Sequence, residues 1–282
     1  VLGAHVMTKG DHPADRRFGD RVIDRTRLMA SGACGAINLC TAIAELSPWA
    51  QSAYHRHTFS EVITPLSGPV VVSVAGRRYR LRPFEATHIP AGIPHTAYSA
   101  SNRVAAVVHS AFACALPTRE FVHERFPFRD CGLEPVRPGL PEFVARQELI
   151  NVYELNPGAF FRDLFASRYG SKGICGGYAH FDPGSSLPCH IHEYDESITI
   201  VEGAAICEVA GRRYILSDND TALVPKGLPH RFLNESRGPI AMVWVYAGDE
   251  PERTLLRPTY CQGCETCSCR TGATAGACGC RP

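Results

Sequence analysis

The chain has 282 residues, 45% of them hydrophobic and 20% charged, which is the composition of a globular protein with one large or two ordinary domains. Its formal net charge of +1 provides no electrostatic basis for binding nucleic acid or an anionic membrane surface. We therefore predict neither a nucleic-acid partner nor a membrane partner.

Residues 1–24 carry charges early and contain no long apolar run, so they predict neither a signal peptide nor a membrane span. We interpret them as the N-terminal arm of a cytoplasmic protein. In a cytosolic chain, isolated cysteines in apolar surroundings are mostly small buried hydrophobic residues. This expectation covers the seven cysteines outside the C-terminal stretch, which are Cys34, Cys40, Cys114, Cys131, Cys175, Cys189 and Cys207.

A first group of metal-ligand residues begins at His55. His57 follows two residues later, Glu61 follows four residues after that, and His95 closes a Pro-x-Gly-x-Pro-His turn. Because side chains in a strand alternate between faces, His55, His57 and Glu61 project from one face of an extended segment. His95 comes from a later strand and joins them only if the sheet curls back on itself.

The same group recurs 135 residues later as His190, His192, Glu196 and His230, and the hexapeptide VAGRRY recurs at the same spacing. A chance match in this register is implausible, so the chain contains two copies of one unit. Three imidazoles and one carboxylate suit Mn, Fe, Co or Ni, and on an octahedral ion they leave two positions open. We predict one divalent transition metal in each copy.

Each copy contains short β-rich runs separated by turn residues, which is typical of a sandwich or a small barrel. Convergent histidines from separate strands favour the barrel, so we predict an all-β fold with tandem small β-barrels at residues 25–112 and 158–250. The connecting segment, residues 113–157, is rich in proline and aromatic residues. We expect it to pack against both barrels and to contain a short helix at residues 141–153. Residues 251–282 form a Cys-rich tail.

The motif residues resemble those of the cupin superfamily, and the two copies resemble a bicupin. The resemblance implies that each barrel is a double-stranded β-helix with a jelly-roll-like topology. The first copy keeps all four ligands but has Trp49, Phe84 and Ser99 at other motif positions, while the second has Asn219 in place of one motif glycine. The second copy carries the remaining motif residues as Gly184, His190, His192, Glu196, Gly203, Pro225, Gly227, His230 and Asn234.

The 135-residue shift also indicates where the two sites differ. It aligns His109 with Trp244, and it gives Tyr194, Lys226 and Arg231 to the second copy alone. Lys226 and Arg231 are candidates for recognising an anionic substrate, with side chains that face solvent as the alternative. Tyr194 is a candidate for proton transfer beside the metal. These differences favour the second copy as the active centre.

Bicupins include oxygenases, decarboxylases and isomerases, so the resemblance implies a metal-dependent enzyme with a small-molecule substrate. We predict a dioxygenase-type oxidoreductase that acts on a small acidic or enolic compound, because two open metal positions can take a bidentate oxyanion and O2. Glu61 or Glu196 can act as a base if it leaves the metal, and Glu196 is the candidate in the second copy. The alternatives are a decarboxylase or isomerase of a small organic acid, and a bicupin that binds a small molecule or metal without turnover. The resemblance also suggests a homo-oligomer.

Six cysteines crowd the tail with the spacing C-x2-C-x2-C-x-C-x8-C-x-C. Thiolates suit zinc and Cu(I), and the segment has too few large apolar residues to form its own core. We predict a tail site for Zn or Cu, with a disordered thiol-rich tail and disulfides formed on oxidation as alternatives. The candidate ligands are Cys261, Cys264, Cys267, Cys269, Cys278 and Cys280.

Overall fold

The computed structural model describes the following parts of the chain: residues 5–7, 23–48, 50–217 and 219–261. Side chains are described from Thr26 onward, and Trp49 lies outside the described residues. The described chain forms two tandem β-barrels, each built from two sheets, which confirms the predicted all-β fold. Among these residues, no helix is long and apolar enough to cross a membrane.

The first barrel contains the sheets β13-β8-β5-β10-β3-β2 and β11-β4-β9-β6-β7-β12. The strands of the first half of the chain are β1 (His5–Met7), β2 (Ile23–Ala30), β3 (Cys40–Leu46), β4 (His55–Arg56), β5 (Glu61–Ser67), β6 (Val70–Val74), β7 (Arg77–Leu81), β8 (Ala86–Ile89), β9 (His95–Ser99), β10 (Ala106–Phe112), β11 (Glu120–Phe121), β12 (Arg129–Gly132) and β13 (Phe143–Ala145). One 3-10 turn lies at Gly32–Cys34.

The second barrel contains the sheets β1-β21-β18-β23-β16-β15-β14 and β20-β19-β22-β17-β24. Its strands are β14 (Tyr153–Asn156), β15 (Ala159–Phe165), β16 (Cys175–Phe181), β17 (His190–Ile191), β18 (Glu196–Glu202), β19 (Ala204–Val209), β20 (Arg212–Ser217), β21 (Thr221–Val224), β22 (His230–Leu233), β23 (Ile240–Tyr246) and β24 (Thr254–Leu255). Further 3-10 turns lie at Ser167–Tyr169 and Pro258–Tyr260. The strand β1 is the N-terminal contribution to this barrel, since it pairs with β21.

The repeated hexapeptide VAGRRY forms the same hairpin in both barrels. Its Ala-Gly pair occupies the turn with positive φ at both residues, 44° and 86° in the first barrel and 46° and 80° in the second. Positive φ at both central positions defines the tight turn that matches the twist of paired strands. Each turn alanine donates its N–H to the carbonyl of the proline that precedes the fourth ligand, at 2.8 Å. The hairpin therefore helps to position the strand that carries this ligand.

The loop before β8 keeps its shape although Phe84 stands at the position of a motif glycine. Phe84 has a φ of 63°, and Asn219 at the equivalent position of the second barrel has a φ of 71°. Both residues donate their N–H to the strand that pairs with the strand after the loop, to the carbonyls of Pro65 on β5 and Ile200 on β18 respectively. The ring of Phe84 packs on Tyr178 of the second barrel, with the centroids 4.8 Å apart, which helps to offset an unfavourable backbone conformation.

The connecting segment contributes strands to both barrels. β11, β12 and β13 join the sheets of the first barrel, and β14 joins the second. The short helix predicted at residues 141–153 is wrong, because Phe143–Ala145 pairs with β8 and Tyr153–Asn156 pairs with β15. Buried Val144 and Ala145 extend the first barrel. Tertiary pairing thus overrides the helical pattern of this segment.

A hydrophobic core also joins the two barrels. Val62 and Ala111 of the first barrel lie in one buried cluster with Phe165, Val243 and Val245 of the second. A direct hydrogen bond of 2.9 Å crosses the same interface between the hydroxyls of Thr41 and Ser197. The two barrels therefore fold against each other as one unit.

Two buried histidines lie on the strand faces that point toward this interface. His88 shares its face of β8 with Ala86, and His109 shares its face of β10 with Ala111. Neither ring nitrogen of His88 has a hydrogen-bond partner among the described residues, and Nε2 of His109 has none there either. Burial lowers the pKa of both imidazoles to about 4, because the charged form loses its hydration.

Acid should destabilise the protein through these two groups. Above pH 6.5 both are neutral whether the chain is folded or unfolded, so they contribute no pH dependence. Between pH 6.5 and 4 the unfolded chain binds protons that the folded chain does not, and the free energy of unfolding falls by up to about 3 kcal/mol for each histidine.

His88→Leu, which copies Leu223 of the second barrel, should raise the free energy of unfolding at pH 7 by about 1–3 kcal/mol, because it removes unsatisfied buried nitrogens. Denaturant unfolding at pH 7 and at pH 5 measures this gain, which should be larger at pH 5. Equal stability of the variant and the native protein at both pH values would contradict the prediction.

Candidate metal centres

The first ligand group meets at one end of the first barrel. Antiparallel pairing of β4 and β9 sets His55 opposite His95, and Glu61 begins β5 beside them. The Nε2 atoms of His57 and His95 lie 3.0 and 2.8 Å from Oε2 of Glu61, and Nε2 of His55 lies 3.9 Å from it. The later strand therefore returns to complete the group, as the sequence predicted.

The second group has the same arrangement. His190 on β17 lies opposite His230 on β22, and Glu196 begins β18. Nε2 of His230 lies 2.6 Å from Oε2 of Glu196, and Nε2 of His192 lies 3.3 Å from it. All eight side chains are buried, and within each group the ligand atoms lie within 4.8 Å of one another.

Backbone carbonyls fix the orientation of every ligand histidine. A carbonyl oxygen only accepts hydrogen bonds, so each Nδ1 atom carries the proton and each Nε2 atom directs a lone pair toward the centre of its group. This is the outer-shell arrangement that orients histidine ligands of metals. The accepting carbonyls belong to Ala53, Thr118 and Ile93 in the first barrel and to Pro188, Glu252 and Leu228 in the second.

The protonation states of both groups fit a divalent cation. Burial lowers the pKa of His55 and of His190, so these imidazoles are neutral. Burial alone would raise the pKa of Glu61 and of Glu196, but the surrounding imidazoles hold both well below the usual range. Three lone pairs and an ionised carboxylate thus converge, and a cation at their centre satisfies them all.

His192→Ala should lower the metal content of the purified protein by about one ion per chain, because it removes one of four ligands. His57→Ala should have an equal effect through the other barrel. Elemental analysis measures both, with His180→Ala as the control, since His180 contacts Asp182 outside both groups. Full metal content in His192→Ala would refute the second site.

The 135-residue correspondence between the two barrels shifts by one residue near the last strand of each barrel. Phe112 pairs with Glu61 in the first barrel, and Tyr246 pairs with Glu196 in the second, which is a shift of 134 residues rather than 135. The predicted alignment of His109 with Trp244 is therefore wrong. Trp244 pairs with Gly177 on β16 just as Ser110 pairs with Ala42 on β3, so Ser110 is its counterpart.

A cavity that opens to solvent reaches the first metal group. His55 and Glu61 lie in its wall, and Arg119 lies beside them. The interior of the barrel leaves this space because Thr26, Ala97 and Ser110 are small. The full lining is Thr26, Ala42, Ala44, Leu46, Ser52, His55, Glu61, Ile63, Ala97, Val108, Ser110, Phe112 and Arg119.

Aromatic side chains occupy the equivalent space in the second barrel. Phe161 corresponds to Thr26, Phe232 to Ala97 and Trp244 to Ser110, as the strand pairings show. All three aromatic residues belong to the buried core of that barrel. The first barrel is therefore the more open of the two beside its metal group, whereas the sequence analysis favoured the second copy as the active centre.

Each barrel places an arginine beside its metal group, and the sequence analysis missed both. Arg119 follows Thr118, whose carbonyl orients His57, and the charge of Glu61 acts on it. Arg253 follows Glu252, whose carbonyl orients His192. One signal for these arginines was available. Arg119 and Arg253 are 134 residues apart, and each directly precedes a short edge strand, but neither segment contains a motif.

The structure places Tyr194 near the second site as a positioning residue. Its hydroxyl lies 2.7 Å from the carbonyl oxygens of Glu250 and Glu252, either of which can accept its one proton, and it accepts the N–H of Glu252 at 2.7 Å. Its ring stacks on His192, with the centroids 5.5 Å apart. Tyr194 thus holds the backbone that orients His192, and its hydroxyl is directed at that backbone rather than at the metal.

The two predicted cations of the second copy lie away from its metal group, so their predicted role in substrate recognition is not supported. Lys226 forms an exposed ion pair with Glu193, at 2.9 Å, with 59% of its side chain exposed. Arg231 alternates with His230 along β22 and therefore faces the opposite side, where its Nε donates to Glu208 at 2.7 Å. The solvent-facing alternative describes Lys226 correctly.

A disulfide joins Cys189, which directly precedes the ligand His190, to Cys261 at the start of the tail. Cys189 is therefore not an isolated buried thiol, and the thiolate of Cys261 is not available to a tail metal in this structure. The other five candidate ligands, Cys264, Cys267, Cys269, Cys278 and Cys280, lie outside the described residues.

Known structures share this architecture. Oxalate decarboxylase from Bacillus subtilis, in its structure at pH 4.6, matches 90% of this chain and 78% of its own, with 16% identity and a TM-score of 0.69. The formate complex of oxalate decarboxylase from Lactobacillus farciminis matches 90% of this chain and 88% of its own, with 15% identity and a TM-score of 0.71. Identities this low establish the fold alone.

The sequence itself matches a family as well. No curated protein sequence matches the chain significantly. The Cupin domain family, however, matches it twice, at residues 42–112 and 177–246, and each match covers one barrel with its metal group. The chain therefore belongs to the cupin family and contains two tandem cupin domains.

Proposed function

We propose that the protein is a metal-dependent decarboxylase of a small carboxylic acid and that its first barrel is the catalytic one. One observation carries this proposal: the cavity of the first barrel brings Arg119 and the metal ligands His55 and Glu61 to the same space. The oxalate decarboxylases of the same fold support the choice of reaction over the dioxygenase predicted from sequence.

Arg119 is the residue that recognises the substrate in this proposal. A guanidinium group binds a carboxylate through paired charge-assisted hydrogen bonds, which fix its position as well as its charge. Arg119 lines the cavity and also a surface cleft with Arg56 and His57. It therefore stands between solvent and the ligands, where an incoming carboxylate meets it first.

The remaining residues hold the reaction centre in place. When bound by His55, His57, Glu61 and His95, a divalent metal supplies Lewis acidity for an oxyanion substrate. The carbonyls behind the three histidines keep their rings fixed, and the apolar wall limits water around the reacting carbon. The bond from the carboxylate carbon to its neighbour breaks, CO2 leaves, the electron pair stays on the neighbouring carbon, and a solvent proton replaces the carboxylate.

The test is to incubate the metal-loaded protein with 2-oxo and 2-hydroxy acids and oxalate, and to measure CO2 release together with O2 uptake. CO2 release without stoichiometric O2 uptake supports the proposal. Stoichiometric O2 uptake would support the dioxygenase instead, and neither signal with any acid would favour a binding protein.

Three predictions from the sequence concern other features of the protein. The homo-oligomer and the Zn or Cu site in the tail stay predictions. The cytoplasmic location also stays a prediction, and the Cys189–Cys261 disulfide counts against it, because disulfides persist mainly in oxidising compartments. Titration of free thiols in freshly purified protein tests whether the Cys189–Cys261 disulfide is formed.

A further inference from the structure

We infer that the substrate of the first barrel is a carboxylic acid with one carboxylate and an apolar body. This inference rests on the proposed function and extends it to the substrate class. The cavity is charged only at the metal end, and most of the remaining wall is apolar. The apolar residues that carry the argument are Ala42, Ala44, Leu46, Ile63, Val108 and Phe112.

The strand pairings show that the cavity runs from the metal into the barrel. Phe112 pairs with Glu61 at the metal end, whereas Leu46 pairs with Ala106 at the other end of the same sheet. Ala42, Ala44 and Leu46 follow one another on one face of β3. At about 3.4 Å per residue, the wall from Ala42 to Leu46 is about 14 Å long. A substrate that fills this space has an extended body beyond its carboxylate.

The charges of the wall allow one carboxylate but not two. Arg119 is the one lysine or arginine among the described residues that line the cavity, and it lies at the metal end with Glu61. A second carboxylate at the far end would lose its hydration against the buried side chains of Leu46 and Val108 without a compensating charge, which is strongly unfavourable. The inference thus favours a monocarboxylate over a dicarboxylate that spans the cavity.

The hydroxyl groups of the wall do not change this conclusion. Ser52 contacts the hydroxyl of Thr96 at 3.1 Å and accepts the N–H of Ala97 at 3.1 Å, so it is engaged within the protein. Thr26 and Ser110 each add one hydroxyl to the wall. A hydroxyl can bind one oxygen substituent of the substrate, but it cannot neutralise a carboxylate.

The comparison of barrels identifies the residues that keep room for this body. Thr26, Ala97 and Ser110 take the places that Phe161, Phe232 and Trp244 fill in the second barrel. Ala97 is the simplest position to change, because Ala97→Phe copies a residue that the same fold already accommodates at Phe232. Ala97 is therefore a residue that determines specificity for the size of the substrate.

Isothermal titration of the metal-loaded protein with acetate, butanoate, hexanoate and oxalate tests the inference. Each added methylene should tighten binding by about fourfold until the cavity is full, and hexanoate should bind more tightly than oxalate. Ala97→Phe should abolish the dependence on chain length, whereas Ser110→Ala should keep it. Thermal unfolding checks that both variants are folded. Affinity that does not rise with chain length, or tightest binding of oxalate, would overturn the inference.

The same samples separate this inference from the proposed function. Rising affinity with chain length, together with no CO2 release from any 2-oxo acid, would keep the substrate class and overturn the decarboxylase. CO2 release from oxalate with affinity that falls along the series would keep the decarboxylase and overturn the apolar body.

Discussion

Replacing Arg119 with alanine should lower kcat/KM for CO2 release by about 30-fold or more, because loss of one partner of a desolvated charge pair costs about 2–5 kcal/mol. Both metals should stay bound, since Arg119 is not a ligand in either group. Arg119→Lys should recover part of the activity, because lysine keeps the charge but loses the paired geometry. Steady-state kinetics and elemental analysis of each variant measure these effects.

The matched control for this prediction is Arg253→Ala. Arg253 occupies the same place in the second barrel, where its guanidinium lies over the ring of Phe161 at 5.5 Å from the centroid. Because aromatic residues fill that barrel, loss of the Arg253 side chain should change kcat/KM for CO2 release by no more than about threefold. The opposite pattern, with an active Arg119→Ala and an inactive Arg253→Ala, would move the reaction to the second barrel.

Ser110→Trp should abolish turnover while it leaves both metals in place. The indole would enter the cavity of the first barrel as Trp244 enters the interior of the second, where it is 1% exposed. Insertion of a larger side chain into a packed barrel costs about 1–3 kcal/mol, which a thermal unfolding midpoint detects. Ser110→Ala is the control, because it removes the hydroxyl without filling the space.

Two results together would contradict the role of the cavity in turnover. One is kcat/KM of Ser110→Trp within about threefold of the native value, and the other is an intact fold with full metal content in the same sample. The substrate would then approach the metal by another route, and the small side chains of the first barrel would have no part in specificity.

The metal ligands were predictable from sequence because strand geometry constrains them strongly. His55, His57 and Glu61 are spaced so that they project from one face of a strand. The repeated turn before His95 indicates a later strand that returns to the same place. Repetition of the whole set in the second copy removed the ambiguity that a single histidine pair carries. The barrels followed from the same observations.

The difference between the two barrel interiors was not predictable, because it depends on one residue of register. The path from His230 to Trp244 is one residue shorter than the path from His95 to Ser110, and no motif follows it to reveal the change. With the uncorrected shift, Trp244 is aligned with His109 on the wrong face. The correct alignment of Trp244 with Ser110 shows that the first barrel is the open one.

Arg119 was missed for a different physical reason. It lies in the segment between the barrels, which has no repeat or motif, and only the pairing of β11 with β4 brings it to the metal group. Lys226 and Arg231 attracted the prediction because they flank a ligand in sequence. On a strand, the neighbour of a ligand faces the opposite side, and in a tight turn proximity does not determine the direction of a side chain.

The central claim is that both barrels hold a metal but that only the first one performs the reaction. The most direct test is CO2 release by His57→Ala and by His192→Ala, measured on samples whose metal content has fallen equally. We predict that His57→Ala loses activity by at least about 100-fold and that His192→Ala keeps most of it. Loss of activity in His192→Ala with full activity in His57→Ala would contradict the account.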